Sequence, residues 1–227
     1  MRVLAIDCAL DACSAAVLDG DSGNIVASQT RIMTRGHAEA LMPLIARVMD
    51  EAEVEFKELD RIAVTVGPGS FTGLRVGISA ARGIALAAAK PAIGLTTLAG
   101  LAAPHIAEDD TTPVVAAIDA RHDHVYMQVF GPGGRTLLAP RIAPLREAVR
   151  AAISGPARIV GSAAGMVARS WPRGAPPPAL VDQRGAPDIG WIARLGAAAA
   201  DAEGPPKPLY LRAPDAQPQG AARLPRR

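Results

Sequence analysis

The sequence predicts an α/β protein of two related lobes, and three observations carry that prediction. Apolar runs of strand character alternate with amphipathic helical stretches along most of the chain. The stretch VLAIDCALDACSAAV (3–17) has a counterpart in VAAIDARHDHVYMQV (115–129), which sets Ile6 on Ile118, Asp7 on Asp119, Asp11 on Asp123 and Val17 on Val129. The 227 residues are also enough for two small lobes with buried cores.

Taken in order, residues 2–7, 13–19 and 24–32 read as three successive strands, with DGDSGN as the turn between the second and third. A helix follows at 37–52, a strand at 61–66, a helix at 73–89 and a short strand at 92–95, giving β-β-β-α-β-α. The pattern restarts at 114 and continues with a helix at 144–153, a strand at 157–161 and a helix near 162–170. The loop RGAPPPALVDQRGAP then delays a last helix at about 188–202, so the second lobe is abbreviated. The expected lobes are 1–108 and 112–205. The Pro- and Arg-rich tail 206–227 is expected to be poorly ordered outside PLYLR (208–212).

Composition narrows the function classes. The most apolar stretch, 76–89, is too short for a bilayer and is bracketed by Arg75 and Lys90, and the opening RVLAIDC reads as a strand and not as a signal peptide. A cytoplasmic protein is expected. A net charge of +2, with only three Phe, two Tyr and two Trp, marks no nucleic-acid platform. Cys8 and Cys13 have no second Cys or His pair to complete a zinc site, so they read as small core residues. His37, His105, His122 and His124 form no H-E-x-x-H pair, and His122 and His124 are expected on opposite faces of a hairpin.

The loop GPGSFTG (67–73) joins a strand to a helix, the geometry that favours anions, yet no lysine follows Gly73 as a Walker A loop requires. Gly67 and Gly69 read as turn residues, with Ser70 or Thr72 capping the helix. Beyond it Gly73, Gly77 and Ala81 recur every fourth residue, a row that admits another backbone at close range, internal or foreign. In the preceding helix Leu41, Leu44, Ile45 and Val48 form one apolar stripe that Met42 and Met49 widen, and Pro43 kinks the helix or lies in its first turn.

Duplicated lobes that open with a strand ending in Asp resemble the actin/Hsp70/sugar-kinase superfamily, whose turns after each Asp hold phosphate or metal. Here the turns ALDACS and ARHDHV lack glycine, so Asp7, Asp11 and Asp119 are expected at degenerate phosphate-loop positions. The alternative is that Asp7 and Asp119 end strands and bond turn amides.

LAIDCALDACSAAV, HAEALMPLI, GPGSFTGLRVGISAARGIALA, KPAIGLTTLAGLA, the AAIDAR…VYM segment and PLYLR together resemble the bacterial TsaB/YeaZ family. Cys8 departs from the threonine usual there. The resemblance implies an actin-like (ribonuclease H-like) fold without catalysis or cofactor, in a subunit of the machinery that makes threonylcarbamoyladenosine in tRNA. The paralogue TsaD carries a metal-binding H-x-x-x-H where this chain has Thr97 and Leu101, a pair unable to replace two imidazoles. TsaD is the implied partner, TsaE an ATP-hydrolysing third component, and a homodimer is expected in the absence of TsaD; tRNA is reached through the complex.

The expected interface lies on helices 37–52 and 73–89. Leu41, Leu44, Ile45, Val48, Leu74 and Ile78 supply apolar contact, the Gly73, Gly77, Ala81 row supplies close approach, and His37, Arg75 and Arg82 supply polar anchors. Two rival readings stand beside it. One is a small actin-like ATPase or phosphotransferase using the three aspartates, and the other is a tRNA-binding module using Arg121 and the arginine-rich tail.

Overall fold

The computed structural model describes residues 1–155, 157–200 and 204–212. Strands β1 (Arg2–Asp7), β2 (Ala12–Asp19), β3 (Asn24–Ile32), β4 (Arg61–Gly67) and β5 (Ala92–Thr96) form one sheet, in the order β3-β2-β1-β4-β5. Strands β6 (Val114–Asp119), β7 (His124–Phe130), β8 (Thr136–Pro144), β9 (Arg158–Val160) and β10 (Leu180–Asp182) form the other, in the order β10-β9-β6-β7-β8. Read from its own first strand, each half places its elements identically: two antiparallel hairpins, then two parallel additions on the far side of the first strand. The duplication read from the aspartates is therefore a duplication of topology.

The sequences explain the layering. β1 and β4 are covered on both faces and are apolar without alternation, whereas the edge strand β3 alternates and carries its polar residues outward. Helices α1 (His37–Glu51) and α2 (Phe71–Ala88) cover the outer face of the first sheet, where Leu41, Leu44, Ile45, Val48, Leu74 and Ile78 meet Leu4, Ile6 and Val64 in one core. Helices α4 (Leu145–Ile153) and α5 (Ala164–Arg169) do the same for the second sheet through Val149 and Val167.

The remaining helices form the middle layer. α3 (Thr97–Glu108), from the first half, packs Leu98, Leu101 and Ala102 on Val114, Ala116 and Ile118 of the second sheet. α6 (Ile189–Ala198), from the second half, packs Ile189, Ile192 and Ala193 on Val3, Ala5 and Ala63 of the first. The two helices cross where Gly100 meets Ile192 so closely that a Cβ there would overlap the isoleucine.

Several elements differ from the sequence prediction. α3 was not predicted at all, and β10 lies inside the stretch expected to be loop. β8 fills the second hairpin, so the second lobe has the full strand set, and its abbreviation lies in three-residue strands β9 and β10 and a six-residue α5. α2 begins at Phe71, two residues ahead of the expected start, because Ser70 caps it: the Ser70 hydroxyl accepts from the Gly73 amide at 3.3 Å. α6 ends at Ala198, short of the predicted end near 202: residues 199 and 200 are not helical, and 201 and 202 lie outside the described residues. So does the tail 213–227.

Candidate functional site

The two halves meet at a cleft of about 570 Å³, walled by the turns after β1 and β6. Each strand-ending aspartate has the same local job. Asp7 Oδ1 accepts the amide of Ala9 at 3.1 Å, and Asp119 Oδ1 accepts the amide of Arg121 at 2.8 Å. Both close a turn two residues on, the bonding predicted as the alternative to phosphate binding. Their surroundings then diverge.

Asp7 is fully buried, takes a second hydrogen bond from the Thr65 hydroxyl, and leaves Oδ2 without a protein partner. Burial pushes its carboxyl up to about 6, against the opposing pull of the Thr65 and Ala9 donors. Asp119 is exposed and lines the cleft together with Asp11, Ser70, Arg121, Ser162 and Arg212. The three aspartates expected at phosphate-loop positions are thus not gathered at one point: Asp11 and Asp119 face the cleft, while Asp7 sits behind it.

The glycine-rich loop turns two of its amides, those of Ser70 and Gly73, to the chain itself. The Ser70 amide donates to the Ala9 carbonyl at 2.7 Å, and a Cβ on Gly69 would overlap that same carbonyl. Gly67 holds φ +117°, and its topological counterpart Gly161, after β9, holds +107°. Both strand-to-helix turns therefore need a residue without a Cβ.

The expected partner-binding residues need correction. His37, Leu41, Leu44, Ile45, Val48, Gly73, Leu74, Gly77, Ile78 and Ala81 are all buried, the apolar ones within the core of the first sheet. Amphipathic helices turn their strongest apolar stripe to their own sheet, which is what happens here. A Cβ on Gly73 would overlap the Cys8 carbonyl, and one on Gly77 would lie 3.5 Å from the Cys8 Cβ. The small-residue row thus admits the turn after β1, an internal backbone. His37 Nε2–H donates to the Leu10 carbonyl at 3.3 Å, and His37 serves the same turn.

Arg75 and Arg82 remain exposed. The Arg75 guanidinium lies 3.8 Å from the centroid of the Phe71 ring and donates to the Tyr210 hydroxyl at 3.1 Å. The extended segment 204–212 is fastened there: Tyr210 stacks on Phe71 at 5.5 Å, the Leu209 amide donates to the Val66 carbonyl at 2.7 Å, and Arg212 donates to the Ala120 carbonyl of the second lobe.

The outer surface of these helices shows what sequence reasoning missed. Leu86 is 85% exposed, and Gly83, beside it, has open space where a Cβ would stand. Met42 and Phe56, with Ala80, Gly83 and Ala87, line an apolar groove of about 450 Å³ between α1 and α2. A second groove, of about 720 Å³, runs along the other side of Gly83, past Arg82, Leu86 and Lys90. Gly83 was visible in the sequence as a helix-interior glycine outside the four-residue row.

Thr97 and Leu101, expected at the positions of a histidine pair in TsaD, are buried in α3. The described residues contain no cluster of three His, Cys, Asp or Glu that could hold a metal ion. No helix among them is long and apolar enough to cross a membrane.

Two duplicated sheets with exchanged middle-layer helices and an interlobe cleft define a protein of the actin-like class. The family model for TsaD, tRNA N6-adenosine threonylcarbamoyltransferase, matches residues 22–171. YeaZ from Pseudomonas aeruginosa has the same fold with a TM-score of 0.75 at 30% identity, over 92% of this chain and 99% of that one. The tRNA threonylcarbamoyladenosine biosynthesis protein TsaB of Escherichia coli is 37% identical over 126 residues, 56% of this chain and 53% of that protein. The TsaB of Haemophilus influenzae is 35% identical over 56% of this chain and 52% of its own length. The matched region thus spans about half the length of these two curated relatives. The chain belongs to the TsaB/YeaZ family.

Proposed function

We propose that this chain is a non-catalytic scaffold subunit in bacterial tRNA threonylcarbamoyladenosine synthesis, working in the cytoplasm. It binds TsaD, which transfers the threonylcarbamoyl group to the adenosine next to the anticodon. The observation that carries the reading is the exposed, side-chain-poor outer face of α2, where Gly83 and Leu86 stand beside the Met42 and Phe56 groove. A helix of TsaD lies there, or the same face of a second copy when TsaD is absent. Arg82 borders the contact, TsaE joins the assembled pair, and tRNA is met through the complex. The apolar residues first expected at the interface support it from beneath, by fixing α1 and α2 to the sheet.

Replacing Leu86 by Glu places a charge in that face without touching the core. Co-purification with TsaD should fall at least tenfold while the thermal midpoint of the isolated chain stays unchanged; an undiminished complex overturns the proposal.

The cleft favours one second reading, an actin-like ATPase or phosphotransferase, because Asp11, Asp119, Arg121 and Arg212 all line it. Against it stands the Ser70 amide, already bonded to Ala9. Calorimetry with Mg-ATP separates the two: micromolar binding and turnover lost in Asp119→Asn favour the enzyme.

A further inference from the structure

Cys8 and Cys13 are the two cysteines of the sequence, and their sulfurs lie 3.7 Å apart, with the Cys8 thiol donating to the Cys13 sulfur. The β1–β2 register pairs Asp7 with Ser14, and one step further along the hairpin sets Cys8 opposite Cys13. Both side chains are buried, at 1% and 0% exposure, and both are free thiols. Only the turn from Ala9 to Ala12 closes the hairpin beyond them, and Ala9, Leu10 and Asp11 of that turn form a wall of the interlobe cleft. The pair therefore sits one turn behind the cleft.

We propose that Cys8 and Cys13 are a reversible redox site, forming an intramolecular disulfide when a peroxide enters through the cleft. The sulfurs need to close to about 2.05 Å, a movement of well under one side-chain length, and their backbones already face each other across a hairpin. The Cys13 thiolate attacks a peroxide oxygen, expels hydroxide and becomes a sulfenic acid. The Cys8 sulfur then attacks the Cys13 sulfur, the S–S bond forms, and the sulfenic oxygen leaves as water. In total two thiols give up two protons and two electrons, and one peroxide becomes two waters.

The roles follow from the environment. The hydrogen bond from Cys8 lowers the Cys13 thiol, against the opposing effects of burial and of the Asp7 charge, with a smaller assisting contribution from Arg31. Cys8 is raised, by its bond to Cys13 and by burial, and so keeps its proton until the second step. A closed loop this short constrains the unfolded chain less than a long one does, which leaves the bond easier for cellular thiols to reopen than a long-range structural bridge. The consequence reaches α2, because the Cys8 carbonyl and Cβ are the surfaces on which Gly73 and Gly77 rest.

The full-length protein is treated with hydrogen peroxide, quenched, unfolded and alkylated with iodoacetamide, and its intact mass is read. The unfolded chain in the same peroxide is the positive control. The expected result is a loss of two hydrogen atoms and of both alkylation sites in the folded protein, reversed by dithiothreitol. Cys8→Ser should abolish the paired loss and leave Cys13 to accumulate sulfinic acid. Two alkylatable thiols retained in the folded protein, while the unfolded control oxidises, overturn the proposal. So does a disulfide found only between chains on a non-reducing gel.

Discussion

The hydroxyl of Thr65 donates a 2.5 Å hydrogen bond to Oδ1 of Asp7, joining the two parallel strands at the centre of the first sheet. It is one of two donors reaching a carboxyl that burial nevertheless raises to about 6. The folded chain holds this proton up to about pH 6, whereas the unfolded chain releases it near its ordinary value of 3.8. Stability from this group therefore falls as pH rises between those values and is level above them, a change on the order of 2–3 kcal/mol. Urea midpoints at pH 4.5 and 7.5 should show the decline, and Asp7→Asn, which keeps an acceptor for both donors, should flatten it.

The helix glycines separate into two kinds by substitution. Gly73→Ala drives a methyl into the Cys8 carbonyl and should destabilise the monomer by about 1–3 kcal/mol. Gly83→Ala meets nothing within the chain and should stabilise it by up to about 1 kcal/mol through helix propensity, while weakening partner binding. Denaturation and co-purification on the same two variants test both halves of this contrast.

Arg158 is buried on β9 and donates to the carbonyls of His105, Asp109 and Thr112, the last at 2.7 Å. It closes the end of α3 and the crossing into the second half. Arg158→Met leaves those carbonyls unanswered and should cost on the order of 3 kcal/mol, read as a lowered urea midpoint with unchanged slope.

Tyr210 fixes the extended segment to the first turn of α2 by stacking on Phe71 and accepting from Arg75. Tyr210→Ala should cost about 1 kcal/mol and speed proteolytic cleavage within 204–212, with no change in cleavage elsewhere.

Much of this was legible in the residues. Asp7 and Asp119 declared the duplication, because turn closure is local chemistry, and Ser70 was one of two caps open for α2, although the helix start was set two residues too late. α3 escaped because TLAGLAAPHIA is apolar nearly all round, as a helix wedged between two sheets must be, and so shows no one-sided stripe. β8 and β10 escaped because edge strands carry Pro, Arg and Asp in place of the β-branched runs that mark a sheet centre. The Gly73, Gly77, Ala81 row was visible, but its occupant was not. The neighbour is Cys8, distant in sequence, and spacing alone says that something approaches, not what. The apolar stripe of α1 misled for the same reason, since a face that seals a core and a face that greets a partner share one pattern.

The reciprocal placement of α3 and α6 makes the two halves hostages to each other. Severed at the 109–111 junction, each fragment would carry a helix that belongs to its sibling and would bare the sheet face that its sibling's helix should roof. The molecule is therefore not divisible into two self-sufficient halves, and any rocking of the lobes must carry both helices with it.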